Sequence, residues 1–339
     1  MSEEEIMQKL RLLGFTTYEA KIYLALLKYG SLTSTEIIKV TGVPQAKFYD
    51  SIERLISKGL VKYARSRPMK YSVVDPVHAL RLLIQREADN KFRIVEDILG
   101  SIPRTPLKEE NEHQVWIVNS PSGISAVIED LIRNTSDELL IASYSNIIRD
   151  FVGKIKREIS TCLVIYDKYE DIIEDLVFFD EVWFKPTFGP SLIISDLRRG
   201  ILIPYKRGEA SVAYIFDDPE ILAPIISYYF YLRETANRLI YRLGDSIKKR
   251  TFRSLLRAID MINAMKEKNL NIEIEIEGAW VSSKKQDVVR GRPIDIFRDK
   301  LREVLTLILE REDKTRISVG GLRAIYEDFE AHRITVYAI

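Results

Sequence analysis

The chain has 339 residues, 46% of them hydrophobic, with 51 Lys/Arg against 50 Asp/Glu; that is length and apolar content for two or three domains with their own cores. Near-neutrality excludes a uniformly basic nucleic-acid binder, and a single cysteine, Cys162, excludes an intramolecular disulfide. The three histidines, His78, His113 and His332, have no metal-ligand spacing, so no metal and no cofactor is expected.

No apolar run approaches the ~20 residues of a membrane span, and the acidic start Ser2–Glu5 is unlike a signal peptide. A cytoplasmic protein is expected. Cys162 lies in the apolar run Cys162–Tyr166 and reads as a buried structural thiol.

Residues 1–75 read as a winged helix-turn-helix. Residues 3–13 make a helix ended by Gly14, and Thr17–Tyr29 a second, with Ala20, Tyr23, Leu24 and Leu27 on one face. Thr33-Ser-Thr-Glu36 has the form of a capping box, in which hydroxyl and carboxylate satisfy each other's backbone N–H, and it starts a third helix. After the tight turn Thr41-Gly42-Val43, Pro44 can open a helix because its missing N–H is one a helix start leaves unbonded. Tyr49, Ile52, Leu55 and Ile56 then form an apolar face, and Gly59 suits the left-handed residue that ends the helix. Leu60–Ala64 and Lys70–Val74 read as the strands of a wing with the basic tip Arg65-Ser66-Arg67-Pro68.

Between Pro44 and Ser72 stand seven Lys/Arg and two acids. A basic patch on a nearly neutral chain favours a localised site for double-stranded DNA. Gln45, Lys47, Phe48, Ser51, Arg54 and Lys58 fall mostly outside the apolar face. Gln45, Lys47 and Phe48 are placed to meet base edges, Gln at adenine and Phe at a thymine methyl. Arg54, Lys58, Arg65, Arg67 and Lys70 are placed to meet phosphates.

Residues 76–100 read as one long helix with an apolar seam at mixed three- and four-residue steps, through Val77, Leu80, Leu83, Ile84, Ala88, Phe92, Val95, Ile98 and Leu99. It either packs along its own domain or pairs two copies as a coiled coil. Pairing is favoured, because operator readers commonly match two half-sites by two-fold symmetry. Residues 101–114, with two prolines and a polar run, read as a linker.

Residues 115–245 alternate strand and helix, which argues an α/β layer domain. The expected strands are Val115–Val118, Glu138–Ala142, Thr161–Tyr166, Glu181–Phe184, Ser191–Ser195, Arg199–Pro204 and Glu209–Phe216. The expected helices are Ser120–Asn134, Ser145–Glu158, Lys168–Leu176 and Pro219–Arg242. Residues 246–339 open with a helix, Ile247–Met265, possible as a continuation through Gly244, and turn mostly β. Asn271–Val281 alternates Ile and Glu, Glu303–Glu310 and Thr315–Val319 suit a hairpin, and Arg333–Ile339 is a last strand. Over Ile294–Leu309 helix and strand periods conflict.

Three stretches together resemble the TrmB-type sugar-responsive transcription regulators of archaea. They are Leu13–Ala20 with Tyr23–Leu27; Val43–Asp50 with Leu55–Val61, Arg67–Tyr71 and Asp75-Pro76; and Ser318–Ala331, with its Val319-Gly320-Gly321 turn and Glu327-Asp328. The resemblance spans nearly the whole chain, and its C-terminal pattern is the more specific part. It implies an α+β multidomain chain: winged helix, coiled-coil helix, an effector domain resembling the phospholipase D fold, and a small C-terminal β domain completing a sugar-binding cleft. Gly321 and Glu327 match family positions lining the sugar site, and Gly320 lets the backbone approach closely. A Ser or Tyr near Ser227–Tyr229 is also implied. The family's asparagine upstream of the double glycine is missing, since no Asn follows Asn271. That departure points to a different sugar or to a lost site.

The reading is a homodimeric DNA-binding regulator modulated by a small-molecule effector, with a sugar as the suspected effector. Two alternatives belong to other classes. One is an architectural chromatin protein that coats DNA without an effector, which the long C-terminal part argues against. The other is a phospholipase D-like hydrolase. That chemistry needs a His nucleophile with a Lys two residues on, and none of His78, His113 or His332 has one. Asp196 is better read as a turn residue than as a catalytic acid, so no enzyme is expected.

Overall fold

The computed structural model describes residues 2–102, 114–205, 212–299 and 304–339, in two units, Met1–Lys108 and Glu109–Ile339. In the first, α1 (Glu3–Leu12), α2 (Thr17–Tyr29) and, after β1 (Leu32–Thr33), α3 (Ser34–Thr41) each start at a capping box. Next come α4 (Gln45–Ser57), β2 (Val61–Ala64), β3 (Lys70–Val73) and α5 (Pro76–Ser101). The strands form an antiparallel sheet in the order β1-β3-β2. Gly42 and Gly59 take the left-handed conformations (φ +65° and +75°) that end α3 and follow α4.

The buried face of α4 differs from the sequence expectation. Phe48, Ser51, Ile52 and Leu55 face the core, and Tyr49 is exposed. Neighbouring residues on a helix point about 100° apart, so the stripe one residue earlier competes with the expected one. It wins because Phe48 meets the buried Tyr71 of the wing edge-on at 5.8 Å. On α5 only Ala79 and Leu83 are buried. Ile84, Phe92, Val95, Ile98 and Leu99 are exposed.

The second unit contains two sheets. Its first half holds β4 (Val115–Val118), α6 (Pro121–Asn134), β5 (Glu138–Ser143), α7 (Ser145–Arg149), β6 (Ser160–Ile165) and β7 (Glu181–Phe184). These are followed by β8 (Ser191–Ser195), β9 (Arg199–Ile203), β10 (Ala213–Phe216), α8 (Pro219–Glu234) and β11 (Asn237–Tyr241). The sheet order is β11-β7-β6-β5-β8-β9-β10-β4, parallel only across β5, β6 and β7. β5 and β6 are buried at every position, as strands covered on both faces must be. Leu139, Ile141, Leu163 and Ile165 join Ile124, Ile128 and Leu131 of α6 on one side. Leu140, Ala142, Cys162 and Val164 join Leu222 and Tyr229 of α8 on the other.

The rest is β12 (Lys249–Phe252), α9 (Leu255–Glu267), β13 (Ile272–Trp280), β14 (Gln286–Asp299), β15 (Val304–Glu310), β16 (Arg316–Gly320) and β17 (Phe329–Ala338). They form the sheet β12-β17-β13-β14-β15-β16, closed on itself by a parallel β16–β17 pairing. Ile272, Ile274 and Ile276 of β13 pack on Ala258, Ile259 and Ile262 of α9. At Gly278 the carbonyl of Glu330 lies 1.9 Å from where a Cβ would stand, beside a register shift, so only glycine fits.

Several expected helices are shorter. α8 ends at Glu234, and 237–241 pairs with β7 as a strand; sheet pairing overrides local helix propensity there. Before α9, residues 249–252 pair with β17, and the helix starts only after Ser254, whose hydroxyl accepts the Arg257 N–H. α7 stops at Arg149, and Lys168–Leu176 holds only 3-10 turns. The stretch 294–309 is strand wherever described. The expected linker, with His113, lies almost entirely outside the described residues.

Candidate nucleic-acid interface and ligand cleft

Gln45, Lys47 and Arg54 are exposed on α4, and Lys62, Arg65, Arg67 and Lys70 are exposed on the wing. No acid stands in the first turn of α4 and no side chain caps it. Its free N–H groups and positive dipole end are therefore open to a phosphate. Three residues expected here are engaged elsewhere. Phe48 and Ser51 are core. Lys58 donates to Glu19 at 3.1 Å and to the Gly14 carbonyl at 3.3 Å, bracing α4 against the start of α2. Glu19 is buried and needs that cation.

In the second unit a cleft of about 630 Å³ opens where the two sheets' subdomains meet. The α/β side contributes Asp196, Leu197, Pro219, Ala223 and Ile226, and the β side Arg253, Leu255, Leu322, Arg323 and His332. Asp196 accepts the N–H groups of residues 136–138, a structural role that holds its left-handed backbone (φ +51°). Gly321 adjoins the cleft wall, where a Cβ would meet that of Leu255 at 3.7 Å.

Gly320 and Glu327 are in contact, but Glu327 does not line the cleft. Its carboxylate is nearly buried, accepts the Thr306 hydroxyl at 2.8 Å, and lies 2.7 Å from where a Gly320 Cβ would stand. Thr306 is the polar neighbour that the sequence did not single out. Tyr229, in the stretch from which a ligand contact was expected, is instead buried under the sheet, donating to the Cys162 carbonyl at 2.9 Å.

Charges inside the seam hold the two subdomains together. Arg257 is fully buried and donates to Glu138 (2.7 Å), Glu181 (2.7 Å) and the Thr161 carbonyl (3.0 Å). Arg233 donates to Glu181 (2.6 Å) and Asp260 (2.7 Å). Towards the edge, Arg250 pairs with Asp180, and Arg253 and Arg333 with Asp137. Burial pushes both strand carboxyls up. Glu138, facing one guanidinium and two backbone N–H groups, stays above the ordinary range. Glu181 faces Arg257 and Arg233 and is drawn down to about 2. The Cys162 thiol is pushed up to about 12 by burial and by the charge of Glu181, so it is inert. Sequence reasoning missed this network. Its one signal was an acid heading each of two apolar runs, Leu139–Ala142 and Val182–Phe184.

A basic winged helix in one chain with a two-subdomain body cleft at its seam defines a ligand-responsive DNA-binding regulator. The model of the sugar-specific transcriptional regulator TrmB matches residues 10–77. Models of the N-terminal and C-terminal subdomains of the TrmB effector-binding domain match 114–239 and 248–339. The chain belongs to the TrmB family of transcriptional regulators.

It is 23% identical over 349 residues to the HTH-type sugar sensing transcriptional regulator TrmBL1 of Pyrococcus furiosus, covering 97% of this chain and 98% of that one. It is 25% identical over 162 residues to the putative HTH-type transcriptional regulator TrmBL2 of the same organism, covering 44% and 61%. Among solved structures, TrmBL2, an archaeal chromatin protein, aligns with a TM-score of 0.44 at 20% identity, covering 70% of this chain and 100% of that one. No helix among the described residues is long and apolar enough to cross a membrane.

Proposed function

We propose that this regulator binds its operator as a homodimer paired along α5, and that a sugar in the seam cleft sets operator occupancy. The observation that carries this is the cleft itself, walled by α8 from one subdomain and by 253–255 and 322–323 from the other. A ligand there touches two bodies and favours one arrangement of them. Differential affinity for two arrangements is what a switch requires. Gly321 adjoins the cleft wall, and the buried Thr306–Glu327 pair packs against Gly320 and positions the turn that carries it. The α/β half is read as a phospholipase D-like body put to binding.

The test has two arms. Operator binding is measured across a salt series for wild type and for Lys47→Ala/Arg65→Ala/Arg67→Ala. Arg65 and Arg67 are the phosphate contacts of this set, on each of two protomers, so the variant is expected to lose roughly three to four counterions from the dimer's salt slope, and an unchanged slope refutes the DNA face. A thermal-shift screen of mono- and disaccharides, repeated as operator binding, tests the effector. Absence of any shift, with sugar-independent operator binding, refutes the cleft reading.

A further inference from the structure

The carboxyl ends of β5, β6 and β7 carry an aromatic platform that the operator and cleft readings leave unused. The Tyr144 hydroxyl donates to the Gly189 carbonyl at 3.0 Å and accepts the Gly189 N–H at 3.1 Å. The Tyr166 hydroxyl donates to the Pro190 carbonyl at 3.1 Å. These bonds pin the loop between β7 and β8 and hold Phe188 at its tip, 81% exposed. The Phe188 ring lies 5.4 Å from Tyr205, which lies 5.5 Å from Tyr144. Tyr228 and Tyr231 of α8 stack at 6.4 Å, both exposed, with the Tyr228 hydroxyl beside Gly189. None of these rings lines the cleft.

We propose that this platform is a second carbohydrate-binding surface, which takes neutral saccharides by stacking their apolar C–H faces on Phe188 and Tyr205. Three observations favour that ligand. First, the strand order reverses here. From β5 the chain proceeds through β6 and β7 on one side and resumes at β8 on the other, with the Ser143 and Ser191 hydroxyls bonded at 2.9 Å across the junction. Crevices at such switch points are where open α/β sheets bind small ligands. Second, Asp167 and Lys185 are engaged internally. Asp167 accepts the Ser145 N–H and hydroxyl, and Lys185 donates to the Thr235 carbonyl above the Tyr231 ring. An ionic ligand gains no free partner from them. Third, the Tyr205, Tyr228 and Tyr231 hydroxyls hold no hydrogen bond among the described residues, which leaves donors and acceptors at the rim of an apolar surface. An exposed phenylalanine on a pinned loop is already ordered, so binding costs little further entropy. The proposal does not depend on the seam cleft taking a sugar.

The test is saturation-transfer NMR on the full chain with gluco-, manno- and galacto-oligosaccharides of one to four units. At least one series is expected to receive saturation at its C–H protons, with affinity falling about tenfold or more in Phe188→Ala and Tyr205→Ala and restored in Phe188→Trp. Binding is expected to persist when the cleft is filled by Ala223→Trp, which separates this surface from the cleft. Four results overturn the proposal: no saccharide binds; Phe188→Ala binds like wild type; Phe188→Ala dissociates a dimer in sedimentation, making this a subunit contact; or the platform instead binds oligo-dT in a Phe188-dependent way.

Discussion

Buried arginine and glutamate side chains give this protein its most testable chemistry at the scale of the residue. Arg257 and Glu181 are each fully buried, so neither charge is tolerable alone, and removing one partner of such a pair typically costs about 3–5 kcal/mol. Glu181 has an ordinary carboxyl value of 4.5 and a folded value of about 2. A lowered acid contributes stability that is present above about pH 4.5 and is lost as pH falls through about 2. All three tryptophans, Trp116, Trp183 and Trp280, lie in the second unit, so their fluorescence reports on that unit alone. The fluorescence-detected melting temperature should drop between about pH 4.5 and 2, while Glu138, whose raised carboxyl takes up its proton first in the folded state, acts in the opposite sense above about pH 4.5. Glu181→Gln should lower it already at pH 7, by an amount matching several kcal/mol. An unchanged melting temperature in that variant contradicts the network's role.

Among the elements, α5 presents the clearest unmet surface. Two of its residues serve the winged-helix core, while Phe92, Val95, Ile98 and Leu99 stand exposed within two turns. Apolar residues at three- and four-residue steps on an otherwise polar helix are the pattern of a coiled-coil seam, the pairing proposed above. Replacing Phe92 and Leu99 by Glu is expected to shift the protein to monomer in sedimentation equilibrium. Operator affinity should fall about tenfold or more, because the second half-site contact is no longer intramolecular. Retained dimers place the pairing surface elsewhere, for example on the edge strand β4, where Val115, Trp116 and Ile117 are exposed. The elements also show where one-dimensional reading fails. The 219–242 stretch suits a helix locally, yet its last residues complete a sheet edge against β7, a partner more than 50 positions away.

For the whole molecule, coupling between cleft and operator is a free-energy difference, typically 1–3 kcal/mol, or about 5–150-fold in affinity. Filling the cleft with Ala223→Trp should make operator affinities with and without the effector equal. A response of wild-type size in that variant relocates the effector site.

The sequence by itself determined much of this protein. Capping boxes, the basic wing, the apolar strand runs and the Gly320-Gly321 turn are local signals, and each depends on neighbours within a few residues. From them the mixed α+β class, the DNA-binding head and the family were legible, as was the surface placement of Lys47, Arg65 and Arg67. Tertiary structure decided the rest. Phe48 turned inward because Tyr71, 23 residues on, offered its ring a partner, and Lys58 was taken by Glu19. Glu138, Glu181, Arg233 and Arg257 converge from four elements into one buried network. Thr306 meets Glu327 only when β15 and β16 pair. The cleft at the seam and the aromatic platform around Phe188 have the same origin. Both are made by side chains that lie far apart along the chain, and no periodicity records which distant residues will share a pocket.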